Sequence, residues 1–128
     1  MTRQAVSTSG APAAIGPYSQ GIAVDGFVFC SGQVGLDPAT GELVDGGVQA
    51  QVDRALRNLS AVLDAAGLTM ADVVKTTLFL ADIGDFAAVN AVYARHMPDP
   101  PPARSTFAVG ALPKGALVEV DAIARRPG

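Results

Sequence analysis

The chain has 128 residues, 49% of them hydrophobic, and a formal net charge of -3, with basic residues scattered along it. This length suffices for one domain with a real core, and we expect a single domain over residues 1–128. The absence of a roughly 20-residue apolar stretch, of an apolar signal-peptide core and of a basic stripe predicts a cytoplasmic protein with no membrane or nucleic-acid partner.

The first predicted element is a β-hairpin. Two apolar runs, residues 21–24 and 27–30, flank Asp25-Gly26, the dipeptide type that most favours a two-residue hairpin. Cys30 lies inside the second run and is the only cysteine, which excludes an internal disulfide. We therefore expect Cys30 to act as a small buried hydrophobe.

Two helices are predicted by apolar residues that recur every three or four positions. The first follows a loop at residues 37–41, stops at Gly67 and carries an apolar stripe of Val48, Val52, Leu56, Leu59 and Leu63. The second runs from Asp85 to about His96 and carries Phe86, Val89 and Tyr93, with Asn90 on the edge of the stripe. Prolines at positions 98–102 end it and keep the next segment extended.

Three further strands are predicted at residues 72–81, 104–109 and 116–124. Arg104 and Glu119 each interrupt an apolar run in the last two strands, which we interpret as neighbours joined by the turn Pro113-Lys114-Gly115. The unlike charges would then come near one pocket. A structural ion pair and a binding site both remain open, and the first is a weak source of stability.

The order strand, strand, helix, strand, helix, strand, strand predicts an α+β domain whose two helices cover one face of the sheet. Since the strands carry apolar residues on both faces, a second copy of the chain is expected on the other face. A monomer with a modest apolar patch is the alternative.

The sequence offers no recognisable cofactor or metal site. His96 is the only histidine, no Cys/His cluster is present, and no glycine-rich loop is followed by Lys-Ser or Lys-Thr. We therefore expect chemistry that needs neither a metal nor another cofactor. His96 is interpreted as a partly exposed residue at a helix end.

Four motifs span nearly the whole chain. They are residues 16–20 (Gly-Pro-Tyr-Ser-Gln), residues 29–33 (Phe-Cys-Ser-Gly-Gln), residues 73–80 followed by 85–90, and residues 102–105 (Pro-Ala-Arg-Ser) with 117–120 (Leu-Val-Glu-Val). In this order they resemble the RidA (YjgF/UK114) family of small imine deaminases. The resemblance implies a chorismate-mutase-like (YjgF-like) fold, a mixed β-sheet with two helices on one face. It further implies a homotrimer with the sheets facing the centre and ligand pockets between subunits.

The implied reaction is hydrolysis of reactive 2-imino acids and their enamine tautomers, such as 2-iminobutanoate and 2-iminopropanoate, to 2-oxo acids and ammonia. This would protect pyridoxal-phosphate enzymes from these intermediates. By resemblance, Arg104 grips the substrate carboxylate and Glu119 positions or activates water. Apolar surroundings would raise the pKa of Glu119 and Arg104 nearby would lower it, and the sequence leaves the balance open.

The resemblance also implies further substrate-binding positions, which are Tyr18, Ser31, Gly32, Asn90 and Thr106. Plain structural roles stay open for three of them, since Tyr18 could pack in its loop, Ser31 could end a strand and Asn90 could cap or bridge a loop. Gly32 is expected to let the backbone approach the ligand.

Two departures from the family pattern bear on the site. Thr106 stands where some members have cysteine, so no thiol chemistry is expected there, although its carbonyl could hold water. The segment 93–97 lacks the family's aromatic pair, which leaves the substrate preference open.

Two other functions compete with a deaminase. One is a non-catalytic trimer that binds a metabolite carboxylate in the same clefts. The other is the RNA-cleaving or translation-inhibiting activity reported for some relatives, against which the acidic balance counts.

Overall fold

A computed structural model describes residues 2–128 as one mixed six-stranded sheet with two helices on one face. The strands are β1 Gln4–Val6, β2 Gly21–Val24, β3 Phe27–Val34, β4 Val73–Leu80, β5 Ala103–Ala108 and β6 Val118–Arg125, and the helices are α1 Gly47–Ala65 and α2 Phe86–His96. The spatial order is β1-β2-β3-β6-β4-β5, antiparallel except for the parallel pair β4–β5. The predicted α+β class and helix placement are confirmed, and among the strands the short β1 is the one that the sequence does not predict.

The hairpin of β2 and β3 forms as predicted. Asp25 and Gly26 have φ of 56° and 79°, so both central residues of the turn lie in the left-handed region that matches the twist of the flanking strands. Cys30 is buried on the helix side, and burial, followed by the charge of Asp121, raises the pKa of its thiol to about 12. The thiol is therefore a core group, as expected.

The core lies between α1 and the central strands. Val52, Leu56, Leu59 and Leu63 are fully buried, whereas Val48 is only partly buried at the edge of the cluster. They meet alternate residues of β3 and β6, which are Val28, Val118, Val120, Ala122 and Ala124. Neither helix of the described chain has the length and apolar character needed to cross a bilayer.

Helix α2 lies beside α1 and is fixed to it at its carboxyl end. His96 Nε2 and Asp53 Oδ1 are 2.8 Å apart, and Arg57 contacts the other oxygen of Asp53 at 2.9 Å. Burial alone would raise the pKa of Asp53, but hydrogen bonds from His96 and Arg57 outweigh it and lower that pKa. His96 is therefore a helix-end residue with a structural contact.

The predicted apolar stripe of α2 is only partly a core stripe. Val89 and Tyr93 are buried, but Phe86 is 39% exposed and does not belong to the core. The opposite face of the sheet carries Phe29 and Phe107, which are 44% and 53% exposed, and no helix of residues 2–128 packs there. The chain thus leaves one sheet face uncovered, as the strand pattern predicted.

The prediction that the strands of Arg104 and Glu119 are neighbours is wrong, because β4 lies between β5 and β6. The turn at Pro113–Gly115 is present, but it belongs to a longer connection over residues 109–117 that passes the end of β4. Spacing along the chain cannot distinguish a hairpin from such a crossing connection.

Candidate active site

Arg104 lies on β5, at the edge of the sheet, and points to the helix-covered face. The register pairs it with Thr76 of β4, whose fully buried side chain contacts α2. The guanidinium carbon of Arg104 lies 4.9 Å from the ring centroid of Tyr93 and 5.5 Å from that of Phe86. Both distances are those of cation–π contacts.

No carboxylate within residues 2–128 pairs with Arg104, since the ion pairs found there join Asp53 to Arg57 and to His96. The neighbours of the Arg104 guanidinium are therefore aromatic rings and not a counter-ion. The alternative of a structural ion pair with Glu119 of the same chain is excluded.

Arg104 and Asn90 line an open cleft of about 560 Å³, which we call the arginine cleft. Its other walls come from the end of α2 and the proline segment, namely Tyr93, Ala94, Met97, Pro98, Asp99, Pro101 and Pro102. Asn90 Oδ1 is buried and has no hydrogen-bond partner among the described residues. A buried acceptor without a donor is costly, so the geometry suits a ligand that donates an N–H or O–H here.

Thr106 shares the face of Arg104, because it pairs with Leu78 two rungs along the β4–β5 ladder. Its side chain is half-buried, and it does not line the arginine cleft. Its predicted part in binding remains a prediction.

Glu119 lies on β6 and points to the uncovered face of the sheet. It alternates with Val118 and Val120, which are fully buried against the helices. Its carboxylate packs over Gly32, where an added Cβ would come within 2.5 Å of Oε2. Only glycine leaves room for the carboxylate at that point, so Gly32 is coupled to Glu119 directly.

Glu119, Gly32 and Tyr18 line a second depression of about 80 Å³, which we call the glutamate groove. Lys114 and Gln20 also border it. Burial, followed by the negative charge of Asp121, raises the pKa of Glu119. The sequence left open whether apolar surroundings raise the pKa of Glu119 or Arg104 lowers it. Within one chain the pKa is raised, because Arg104 lies on the other face of the sheet.

The loop that carries Tyr18 is anchored by its neighbours. Ser31 Oγ donates to the Ser19 carbonyl at 2.6 Å, and Gln20 Nε2 donates to the Pro12 carbonyl at 2.8 Å. Tyr18 is 50% exposed, and its hydroxyl accepts only a long hydrogen bond of 3.4 Å from the Ile15 amide. Ser31 thus holds the loop, whereas Tyr18 presents a free face to the groove.

The predicted site residues therefore fall into two groups on opposite faces of one sheet. Arg104, Asn90 and Thr106 lie on the helix side, and Glu119, Gly32 and Tyr18 on the uncovered side, with Ser31 beneath the Tyr18 loop. Within residues 2–128, no three His, Cys, Asp or Glu side chains come close enough together to hold a metal ion.

Three residues near these groups were not predicted as part of a site. The apolar stripe of α2 predicts packing for Phe86 and Tyr93, although their spacing around Asn90 places all three side chains on one side of the helix. Asp121 follows Glu119 by two positions, and in a strand this spacing places both carboxylates on one face.

Comparison with known proteins gives consistent matches over almost the whole chain. Residues 8–126 match the family described as Endoribonuclease L-PSP. The protein named DfrA from Myxococcus xanthus is 55% identical over 126 residues, which cover 97% of this chain and 96% of that protein. The 2-iminobutanoate/2-iminopropanoate deaminase of Capra hircus is 52% identical over 124 residues, covering 97% of this chain and 90% of that protein.

Solved structures agree with these matches. The crystal structure of a putative endoribonuclease from Thermotoga maritima is 46% identical, with a TM-score of 0.94 and 98% of both chains covered. The structure of E. coli TdcF with bound serine is 41% identical, with a TM-score of 0.91 and coverage of 97% of this chain and 99% of that one.

Proposed function

Because the chain belongs to the Endoribonuclease L-PSP (YjgF/RidA) family, we propose that it hydrolyses reactive 2-imino acids and their enamine tautomers to 2-oxo acids and ammonia, without a cofactor. The proposed substrates are 2-iminobutanoate and 2-iminopropanoate, since relatives that are 52% identical carry the names of deaminases acting on them. The observation that carries the proposal is an arginine without a carboxylate partner in a cleft, which suits a substrate carboxylate.

The proposed active assembly is a homotrimer in which each site is shared by two copies. A small substrate cannot touch Arg104 and Glu119 of one chain, because the sheet lies between them. Head-to-tail contacts between copies would bring the arginine cleft of one to the glutamate groove of the next, and they close into a ring of three when each copy is rotated by about 120° from the last. The exposed rings of Phe29 and Phe107 on the uncovered face support burial against other copies.

In this site Arg104 binds the substrate carboxylate through two parallel N–H donors, which fixes the imine carbon beside the glutamate groove of the neighbouring copy. Asn90 Oδ1, the buried acceptor without a partner, accepts the N–H of the imine or enamine. Tyr18 and the backbone at Gly32 border the place where the attacking water lies.

Glu119 acts as the general base in the proposed reaction, and its raised pKa suits proton transfer closer to neutral pH. It takes a proton from water while the water oxygen bonds to the imine carbon, and this proton then passes from Glu119 to the imine nitrogen. The hydroxyl proton of the resulting carbinolamine is transferred by way of Glu119 to the same nitrogen, and the C–N bond breaks to release ammonia and leave the 2-oxo acid. One imino acid and one water thus give one 2-oxo acid and one ammonia.

The test is the rate of 2-oxo-acid and ammonia release from 2-iminobutanoate generated by a pyridoxal-phosphate dehydratase. The full-length protein should accelerate release over buffer, and Arg104→Ala should reduce kcat/KM at least about 100-fold because the carboxylate clamp is lost. Arg95→Ala is the matched control, since Arg95 is an exposed arginine of α2 that does not line the arginine cleft.

Unchanged turnover in Arg104→Ala would contradict the assigned clamp. Binding of 2-oxobutanoate without any acceleration of imine hydrolysis would instead favour a non-catalytic metabolite-binding protein. A mass measurement in solution tests the trimer separately.

A further inference from the structure

One side of α2 presents an alternating set of side chains to Arg104. Phe86, Asn90 and Tyr93 stand at positions i, i+4 and i+7 of the helix, which share one face. The Arg104 guanidinium lies over both rings, closer to that of Tyr93. The polar Asn90 separates the two aromatic residues along the helix.

Tyr93 is itself held in place by the sheet. Its hydroxyl lies 2.6 Å from the hydroxyl of Thr76, and both residues are buried. Thr76 is also the register partner of Arg104 in the β4–β5 ladder. Tyr93 therefore contacts both residues of one rung of the sheet, through its hydroxyl at Thr76 and through its ring face at Arg104.

Phe86 shows that these contacts are more than core packing. Phe86 remains 39% exposed on a helix whose other large apolar residues, such as Val89 and Val92, are buried. A large apolar ring left at the surface beside an arginine lowers the freedom of that side chain and shields one side of it from water.

We propose that Tyr93, supported by Phe86, is a positioning residue that fixes the Arg104 guanidinium for a carboxylate ligand without neutralising its charge. The inference rests on the proposed function, because it assigns Arg104 to the substrate carboxylate. An acidic neighbour would also orient an arginine, but it would compete with the ligand for the same N–H donors. An aromatic face leaves those donors free, and Thr76 keeps the Tyr93 ring in one orientation.

The test measures binding of 2-oxobutanoate, the product expected from 2-iminobutanoate, by calorimetric titration of the full-length protein. Tyr93→Leu should weaken binding about tenfold, and Phe86→Leu about threefold, because each removes a cation–π contact. Tyr93→Phe keeps the ring and should restore most of the affinity lost in Tyr93→Leu. Affinity within about twofold of wild type in both leucine variants would overturn the proposal.

A cycle with Arg104→Ala separates positioning from general damage to the cleft. Without the guanidinium, Phe86→Leu should leave the residual affinity for 2-oxobutanoate unchanged, and an equal loss in both backgrounds would overturn the proposal. If Tyr93→Leu fails to fold, the same cycle with Tyr93→Phe tests the Tyr93 ring, and Phe86→Leu, at a partly exposed position, tests the support from Phe86. Full loss of affinity in Tyr93→Phe, or no loss in Phe86→Leu with Arg104 present, would then overturn the proposal.

The proposed reaction can fail independently of this inference. Wild-type protein that shows the expected binding pattern but no imine turnover would leave the positioning role intact and overturn the deaminase. Normal turnover in the wild type, with unchanged affinity for 2-oxobutanoate in both leucine variants, would support the deaminase and overturn the positioning role. A wild type that does not bind 2-oxobutanoate would also overturn the positioning role.

Discussion

The arginine cleft and the glutamate groove prepare their charged side chains in opposite ways. In the cleft, Arg104 lies over neutral rings and has no carboxylate partner within residues 2–128. In the groove, Glu119 is half-buried beside a second carboxylate, so its negative form is disfavoured and its pKa is raised. In the proposed reaction the cleft therefore supplies a permanent charge for binding, whereas the groove supplies a group whose proton can move.

The comparison also shows why one chain is insufficient for the proposed reaction. A sheet separates the binding group from the proton-transfer group, and each lies at the surface of its own face. Each half of the site is built by local contacts of a single chain, but only the meeting of two chains would bring the halves to one substrate.

The largest expected effect comes from mixing two inactive variants. Arg104→Ala and Glu119→Gln should each lose at least about 100-fold in kcat/KM, since one lacks the clamp and the other the base. If the two are unfolded and reassembled together in equal amounts, about a quarter of the intersubunit sites in a trimer receive both native residues. Turnover should therefore recover to about a quarter of the wild-type rate per site.

The control for this experiment is simple mixing of the folded variants without subunit exchange, which should restore nothing. No recovery after verified coassembly would contradict a site shared between copies.

A smaller effect is expected from Gly32→Ala. The new Cβ would lie 2.5 Å from Glu119 Oε2, so the carboxylate must move and turnover should fall about tenfold while 2-oxobutanoate still binds. Gly110→Ala is the matched control, because an added Cβ there meets no atom within 4 Å. Wild-type kinetics in Gly32→Ala would show that the position of Glu119 over Gly32 does not matter for the reaction.

The smallest effect is a shift in pH dependence on the groove side. Burial and then Asp121 raise the pKa of Glu119, so the active carboxylate forms at a higher pH than for an ordinary glutamate. Asp121→Asn removes the negative charge of Asp121 and keeps the side-chain oxygen that accepts a hydrogen bond from the Thr77 amide. The pKa of Glu119 should then fall, so the acid limb of the kcat/KM profile against pH should move to lower pH.

Asp64→Asn makes the same change in net charge at an exposed position of α1 and should leave the acid limb in place. If the acid limb stays fixed in Asp121→Asn, or moves equally in both variants, the titration seen in the profile is not that of Glu119.

Much of the fold was predictable because its signals are local. The hairpin at Asp25-Gly26 depends on two backbone conformations, and both helices depend on apolar spacing along a single segment. The uncovered face was predictable too, because the strands carry apolar residues at both odd and even positions, which point to opposite faces of the sheet. Strand β1 was not, because a three-residue strand has too few positions to show a pattern.

The sequence predicted which residues belong to the candidate site better than it predicted where they lie relative to one another. Arg104 and Glu119 stand out as charges in apolar strands, and the resemblance to the RidA family supplied the others. The contacts of Phe86 and Tyr93 with Arg104 are not predictable from the sequence, because the same helical spacing also describes a core stripe. Exposure of Phe86 and the distance to Arg104 distinguish the two interpretations.

By itself the sequence determined both helices and five of the six strands, the faces that they bury and the residues that are out of place in a core. Only the tertiary structure decided that β4 separates the two closing strands and that Arg104 and Glu119 face away from each other. The physical reason is that side-chain alternation fixes faces within a strand, whereas the order of strands depends on pairing between distant segments. The pattern of residues within one strand does not determine which strand it pairs with.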